Sequence, residues 1–159
     1  MVTDMTSIRI LLALLAISLL SGCGLLGGGN SGHTPEKAQR VVSTAYRQIG
    51  TAYRPGGASP QKGFDCSGLI YWAYRSNGLR VPRTTTEQAK TGRGVGRDRM
   101  RAGDIVVFRS STSARGLHTG IYTGGDAFIH SPRPGKKVRM ENMNNYWKSN
   151  LVAVRRVIP

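Results

Sequence analysis

Apolar residues in the first part of the chain recur at three- and four-residue spacing, which predicts amphipathic helices. The first helix is predicted over residues 34–49, with Pro35 at its first position and Gly50 as its stop. A second helix is predicted over residues 66–76, because Gly78 supplies a C-terminal stop signal. A short third helix is predicted around residues 87–90, since Thr84 and Glu87 have the spacing of a capping box.

Beyond residue 101 the pattern changes to short apolar runs, which are typical of β-strands. These runs cover residues 105–108, 120–123, 127–130, 137–140 and 152–157, with a weak helical signal near residues 145–148. The Gly- and Arg-rich segment 92–101 has no period and is predicted to be a loop. Helices first and strands later predict an α+β fold, in which N-terminal helices pack on a mostly antiparallel sheet of about five strands.

The segment before the first predicted helix has the features of an export leader. An apolar run over residues 10–20 has the length of a signal-peptide core and is too short for a membrane-spanning helix, which needs about 20 residues. Small residues then precede Cys23, as in a bacterial lipobox. We therefore expect residues 1–22 to be a lipoprotein signal peptide and Cys23 to be lipidated, with an ordinary signal peptide as the alternative. Residues 23–34 form a glycine-rich tether, and residues 35–159 form the folded domain.

The formal net charge of +15 indicates which classes of molecule such a protein can bind. A strongly basic surface attracts polyanions, and an exported lipoprotein meets anionic lipid head groups and cell-wall polymers. The arginines are dispersed along the chain and are not interleaved with aromatic residues that would stack on bases. We therefore expect envelope polyanions, and not nucleic acid, as the partners of the basic surface. The alternative is that the basic residues bind no polyanion and only form a solvated surface.

Cys66 is the residue whose presence most needs an explanation. If Cys23 carries lipid, Cys66 is the single remaining thiol of a domain that cannot form an internal disulfide. A free thiol in an oxidising compartment is a liability unless its reactivity is used. Asp65 is a good N-cap residue and places Cys66 in the first turn of the second predicted helix, where the helix dipole favours the thiolate. Cys66 is therefore the candidate nucleophile.

His118 and His130 flank a predicted hairpin and are the candidate partners of Cys66. A three-residue loop over residues 123–125 would place the two histidines directly opposite each other on one face. A two-residue loop at residues 124–125 would place them on opposite faces, unless a bulge intervened. In the first register His118 is the base beside Cys66 and His130 orients its ring, which is the logic of a catalytic triad.

Two other interpretations of these three residues stay open at this point. Each of them alone is more often structural than catalytic. Together, two histidines and a cysteine could also bind zinc and leave an open catalytic position. No second cluster of thiols or acids supports a closed metal site, so the residues favour a cysteine peptidase without excluding zinc.

The motifs around these residues resemble the NlpC-type family of bacterial cell-wall cysteine peptidases, which are papain-like enzymes. The resemblance extends over residues 35–158, and in particular to the small lipoprotein murein endopeptidases of Gram-negative envelopes. It is carried by residues 50–57, 63–70, 82–84 with Gln88, 101–108, 118–122 and 128–130. It implies that Cys66 is the nucleophile, His118 the general base and acid, and His130 the third residue of the triad.

The resemblance also implies roles for residues beside the nucleophile. Tyr53 matches a tyrosine that helps to hold the oxyanion, with loop packing as its alternative role. Asp65 and Ser67 match positions that contact the stem peptide in some relatives, and helix capping is the alternative for Asp65. Pro55 departs from the larger or polar residue that relatives often carry, which puts the shape of this loop in doubt.

These observations predict a peptidoglycan endopeptidase that hydrolyses an amide bond in stem peptides or cross-links through an acyl-enzyme. We expect it to act as a monomer without metal or cofactor, with peptidoglycan stem peptides as substrate and the membrane as partner through the lipid on Cys23. Gly24 after the cysteine favours the outer membrane, facing the periplasm, in a Gram-negative host. The sequence leaves open whether the bond is D-glutamyl–diaminopimelate or D-alanyl–diaminopimelate. A non-catalytic murein-binding lipoprotein with the same fold is the alternative.

Overall fold

Along the chain, helices lie before and between the strands of one larger antiparallel sheet. A computed structural model describes residues 33–111, 113 and 115–159. Cys23, the predicted signal peptide and all but the last two residues of the predicted tether lie outside the described residues, so these predictions stay untested. Within the described part, no helix is long and apolar enough to cross a membrane.

The helices fall close to their predicted positions. They are α1 (His33–Tyr46), α2 (Cys66–Arg75), α3 (Thr85–Gln88) and α4 (Asn145–Asn150), with a 3₁₀ turn at Arg97–Arg99. Helix α1 ends at Tyr46, earlier than predicted, and residues 47–50 form turns. Helix α3 begins at Thr85 because Thr84 caps it, its hydroxyl accepting a hydrogen bond from the N–H of Glu87 at 3.4 Å. The Thr84 hydroxyl in turn donates to the Glu87 carboxylate, so the predicted cap by Thr84 is confirmed, and the helix starts two residues earlier than predicted.

The sheet has six strands in the order β3-β8-β4-β5-β6-β7, and every pairing in it is antiparallel. Its strands are β3 (Arg93–Gly94), β4 (Ile105–Arg109), β5 (Leu117–Gly124), β6 (Ala127–His130), β7 (Arg139–Asn142) and β8 (Leu151–Arg156). A separate ribbon of β1 (Ala58–Ser59) and β2 (Gly63–Phe64) precedes α2. The predicted α+β class is confirmed. The prediction of about five strands also agrees, and the sixth strand is β3, a two-residue edge strand in the segment predicted to be a loop.

Both faces of the sheet are covered, which explains the continuous apolar run in β4. Alternate β4 residues point to opposite faces, so Ile105 and Val107 pack against α1 and α2, whereas Val106 and Phe108 pack on the other side. The first core contains Val41, Ala45, Leu69, Ile70, Ala73, Tyr74, Ile121 and Ile129, and the second contains Tyr122, Phe128, Met143, Leu151 and Val154. Trp147 of α4 lies over the second core. A strand buried on both sides has no polar positions, which is why it shows no alternation.

The β5–β6 hairpin differs from the predicted register. Tyr122 pairs with Phe128 and Gly124 pairs with Ala127, with a bulge at Thr123 and a two-residue turn at residues 125–126. Both turn residues have positive φ, 58° and 57°, as a type I′ turn requires. The prediction that His118 lies directly opposite His130 was therefore wrong. Continued along the strands, this register offsets the two histidines by two residues, an even shift that keeps them on one face as a diagonal pair.

Candidate active site

Cys66 is the first residue of α2, directly after the N-cap Asp65. The Asp65 carboxylate accepts a hydrogen bond from the N–H of Gly68 at 2.6 Å through Oδ1, and from the N–H of Gly56 at 3.0 Å through Oδ2. The N–H groups of a first helical turn have no acceptor within the helix. Asp65 therefore satisfies one of them and fixes the start of the helix, while the N–H of Cys66 stays directed out of the helix end.

Arg83 holds Asp65 from the other side. Its guanidinium donates to Asp65 Oδ1 at 3.0 Å and to Oδ2 at 2.8 Å. It also donates to Ser67 Oγ at 3.0 Å and to the carbonyl oxygen of Gly57 at 3.1 Å. A bidentate guanidinium fixes both the position and the plane of a carboxylate. Asp65 is thus confirmed as a helix cap, and Ser67 is bound to the same arginine.

A cleft of about 470 Å³ opens at this end of α2. Its lining includes Tyr53, Asp65, Cys66, Ser67, Thr85, Arg115, His118 and Arg133. The structure therefore brings together Cys66, His118, Tyr53, Asp65 and Ser67, which the sequence selected. His130 does not line the cleft. Cys66 is partly exposed and is a free thiol, as a nucleophile reached from solvent must be.

His130 lies behind His118 and contacts it directly. His118 Nε2 lies 2.7 Å from His130 Nδ1, and the two rings meet edge to face with centroids 5.0 Å apart. The aromatic rings of Phe128 and Trp147 surround His130 at 4.9 and 5.5 Å. Because His118 Nε2 is hydrogen-bonded to His130, Nδ1 is the ring nitrogen of His118 that is available for proton transfer in the cleft.

Burial keeps both imidazoles neutral near pH 7. Loss of hydration lowers the pKa of His118 to about 4. Burial, and then the proximity of His118 and Arg139, lowers the pKa of His130 to about 2. A neutral His118 has a lone pair and is therefore ready to accept a proton.

The hydroxyl of Tyr53 faces the same cleft and stays protonated. Partial burial, with the nearby Cys66 and Asp65 groups adding to it, raises the pKa of Tyr53 above its ordinary value of 10.0. Its backbone N–H donates to the carbonyl oxygen of Lys136 at 2.9 Å, which fixes the loop that carries it. A protonated phenol at this position is a hydrogen-bond donor available to a bound substrate.

Two residues of the site were not selected from the sequence as site residues. The hydroxyl of Thr85 lies 3.8 Å from the Cys66 sulfur. Gln88 is completely buried and joins α2 to β5: its Nε2 donates to the carbonyl oxygen of Ser67 at 3.0 Å, and its Oε1 accepts from Thr119 at 3.3 Å. The signal that could have selected Gln88 was its place among the motifs that carry the family resemblance.

The geometry of the two imidazoles does not favour the zinc alternative. A metal site needs several ligand atoms directed at one point. Here Nε2 of His118 and Nδ1 of His130 are directed at each other, 2.7 Å apart. In residues 33–111, 113 and 115–159, no three His, Cys, Asp or Glu side chains gather as metal ligands.

The comparisons with known proteins agree with the fold and the motifs. The model of the NlpC/P60 family matches residues 50–156. The chain is 38% identical over 128 residues to the murein DD-endopeptidase MepH of Escherichia coli, covering 77% of this chain and 47% of that protein. It is 37% identical over 121 residues to the gamma-D-glutamyl-L-lysine dipeptidyl-peptidase of Bacillus subtilis, covering 75% of this chain and 40% of that protein. The chain thus spans less than half the length of both relatives.

A solved structure gives a match over nearly its whole length. The NlpC/p60 domain of the peptidoglycan hydrolase SagA superposes with a TM-score of 0.64 at 30% identity. The superposition covers 75% of this chain and 97% of that chain. The described part of the chain therefore has the architecture of one such domain.

Proposed function

The chain belongs to the NlpC/P60 family, as its motifs predicted, and from this premise we propose that it hydrolyses an amide bond in the peptide part of peptidoglycan, with Cys66 as nucleophile. The observation that carries the proposal is the shared cleft: the Cys66 thiol and the His118 imidazole line one opening, and His130 holds His118 from behind through a 2.7 Å contact. This is the arrangement of a nucleophile, its base and a group that orients the base.

The proposed reaction begins with proton transfer from the Cys66 thiol to His118 Nδ1. The sulfur attacks the carbonyl carbon of the scissile amide, and the carbonyl oxygen becomes an oxyanion. His118 then returns the proton to the leaving amine as the C–N bond breaks, which leaves an acyl group on Cys66. Water, deprotonated by His118, attacks this thioester and releases the carboxylic acid and the thiol.

Two donors are placed to stabilise the oxyanion. The backbone N–H of Cys66 belongs to the first turn of α2, where the positive end of the helix dipole adds to its effect. Tyr53 lines the cleft with its hydroxyl protonated. Donors fixed before the reaction favour the charge that develops in the transition state, because they need no reorganisation at that moment.

The proposed substrate is a stem peptide or a cross-link between stems. Arg115 and Arg133 at the mouth of the cleft suit a ligand that carries carboxylates, as diaminopimelate-containing peptides do. The two relatives are named for different bonds, since one is a murein DD-endopeptidase and the other a gamma-D-glutamyl-L-lysine dipeptidyl-peptidase. We propose the D-alanyl–diaminopimelate cross-link as the first bond to test.

The proposed location is the cell envelope, with the protein monomeric and held at the membrane by lipid on Cys23. Support comes from the sequence alone, since Cys23 lies outside the described residues. A lipidated Cys23 followed by the glycine-rich segment up to residue 34 would keep the cleft within reach of the wall. The net charge of +15 would favour approach to the anionic wall network.

Digestion of purified sacculi tests the proposed function. Wild-type protein and Cys66→Ala are incubated with the same sacculi, and the released muropeptides are identified by mass spectrometry. We expect wild type to convert cross-linked dimers to monomers, and Cys66→Ala to leave the profile of untreated sacculi. Identical profiles from both proteins would favour the non-catalytic murein binder.

The same assay separates a peptidase from a metal hydrolase. A thiol-alkylating agent should abolish the wild-type activity, whereas a metal chelator should leave it unchanged. The reverse pattern would favour the metal hydrolase.

A further inference from the structure

Glu141 lies on the far side of His130 from the cleft. Strand β7 pairs with β6 so that Phe128 faces Glu141 and His130 faces Arg139. Glu141 is therefore the same-face diagonal neighbour of His130. Its Oε2 lies 3.5 Å from His130 Nε2, the ring nitrogen that His118 does not use.

The Nε2 atom of His130 is buried without another partner. The His130 side chain is 1% exposed, and Nε2 makes no aligned hydrogen bond within the described part of the chain. An imidazole N–H left unpaired in a protein interior is unfavourable, because it loses the hydrogen bond that it makes to water in the unfolded chain. The 3.5 Å separation exceeds the usual hydrogen-bond range by about 0.3 Å, and Glu141 Oε2 is likewise a buried atom without an aligned hydrogen bond in the described part of the chain.

Arg139 and Glu141 form an ion pair. The Nη2 atom of Arg139 lies 2.6 Å from Glu141 Oε2. An ionised carboxylate only accepts hydrogen bonds, so whatever faces it from His130 Nε2 must be an N–H. A neutral imidazole carries one proton, which fixes the other nitrogen, Nδ1, as an acceptor.

The acceptor role of His130 Nδ1 determines which nitrogen of His118 carries a proton. With Nδ1 of His130 as acceptor, His118 must donate through its Nε2–H across the 2.7 Å contact. His118 Nδ1 then carries the lone pair, and it is the nitrogen left for the cleft. In the other tautomer, His118 would carry its proton on Nδ1, would present this N–H to Cys66 and could not accept the proton of the Cys66 thiol.

We propose that Glu141 is a positioning residue that accepts a hydrogen bond from His130 Nε2–H and thereby selects the tautomer in which His118 Nδ1 is a base. The inference deepens the proposed function, on which it rests for the role of His118. None of the motifs that carry the family resemblance includes Glu141.

The tautomers can be measured without any assay of activity. The full chain is labelled with ¹⁵N-histidine, and long-range ¹H–¹⁵N spectra at pH 7 report which ring nitrogen carries the proton, with His33 as an internal reference. We expect the Nε2–H form for both His118 and His130 in wild type. In Glu141→Ala we expect a mixture of tautomers at both residues. Unchanged tautomers in Glu141→Ala would overturn the inference.

Two control variants separate this role from a structural one. Glu36→Gln removes the charge of an exposed glutamate that pairs with Arg40 on α1, and it should leave both tautomers as in wild type. Arg139→Met removes the ion pair but keeps the Glu141 carboxylate, and it should also retain the Nε2–H form of His130. If Arg139→Met gave the same mixture as Glu141→Ala, the ion pair at the edge strand would explain the effect and the inference would be wrong.

Kinetics complete the test on the substrate that wild type cleaves. Glu141→Ala should lower kcat by about tenfold or more while KM stays within about twofold, because the base is lost in part and the cleft is not touched. The kcat of Glu141→Gln should lie between those of wild type and Glu141→Ala, since the glutamine amide oxygen still accepts a hydrogen bond. A kcat of Glu141→Ala equal to that of wild type would overturn the inference. Failure of wild type to cleave murein would overturn the proposed function instead, and the tautomer spectra would still decide the role of Glu141.

Discussion

Gln88 donates a hydrogen bond to the carbonyl oxygen of Ser67 across 3.0 Å, although 21 residues separate them in sequence. The same amide accepts a hydrogen bond from Thr119, which neighbours His118 in β5. One buried side chain thus connects the helix that begins with Cys66 to the strand that carries His118. The relative position of nucleophile and base depends on this link.

We predict that Gln88→Ala destabilises the fold and lowers activity together. The variant leaves the carbonyl oxygens of Ser67 and Pro82 without their donor and opens a cavity, at a cost of about 1–3 kcal/mol in the free energy of unfolding. Urea unfolding measures this cost, and hydrolysis of murein by the folded fraction measures the effect on kcat. Gln39→Ala, on the exposed side of α1, is the matched control and should change stability by less than about 0.5 kcal/mol.

Gly68→Ala should damage the site through a backbone clash. A Cβ at residue 68 would lie 1.9 Å from the carbonyl oxygen of Gly57, which also binds Arg83. A backbone oxygen cannot move away by a change of rotamer. Either the loop that contains Gly57 or the start of α2 must therefore shift. We expect a loss of stability of about 2 kcal/mol or more and a large loss of activity. In the control Gly94→Ala, the new Cβ would meet only the end of the flexible Arg155 side chain at 3.3 Å. A fully active, stable Gly68→Ala would show that the close approach to Gly57 is not needed.

Tyr53→Phe should lower kcat by about 100-fold and leave KM nearly unchanged. The hydroxyl is proposed to bind the oxyanion, which exists only after attack, so its loss acts on the transition state and not on substrate binding. Steady-state kinetics on a defined muropeptide dimer separate the two constants. Tyr46→Phe, which removes an exposed hydroxyl, is the control. An unchanged kcat would assign Tyr53 to loop packing.

The stability of the fold should fall as the pH is lowered from 6.5 to 5. Burial lowers the pKa of His118 to about 4 and that of His130 to about 2, whereas an unfolded histidine has a pKa near 6.5. In this window the unfolded chain binds protons that the folded chain does not, so acid favours unfolding. Each histidine contributes at most about 1.4 kcal/mol per pH unit. Urea unfolding at pH 6.5 and pH 5.0 measures the difference, and equal stabilities would contradict the burial of neutral imidazoles.

The start of α2 was predictable because its signals are local. An Asp before a cysteine, followed by apolar residues at helical spacing, is enough to place Cys66 in a first helical turn. The face shared by His118 and His130 was also correctly inferred, although through a wrong register. The sequence could not locate the bulge at Thr123, because glycines at 124 and 125 permit several turns and the sheet selects among them.

Glu141 and Arg83 show what sequence patterns do not contain. The predicted strand stopped at residue 140, whereas β7 extends over Arg139–Asn142, so Glu141 was not placed beside His130. Arg83 lies in one of the motifs that carry the resemblance, but nothing in the sequence showed that it binds both oxygens of Asp65. Both roles depend on contacts between segments distant in sequence, which no periodicity reports.

Alkylation of Cys66 tests most directly whether this thiol performs the chemistry. Cys23→Ser leaves Cys66 as the single thiol of the chain, and iodoacetamide is added while the intact mass and the cleavage of a muropeptide dimer are followed in parallel. We predict that activity declines in proportion to the fraction of Cys66 that is carboxamidomethylated and reaches zero at one label per chain. We also predict faster alkylation than in the His118→Gln variant of the same background. Full activity in a completely labelled protein would show that Cys66 is not the nucleophile.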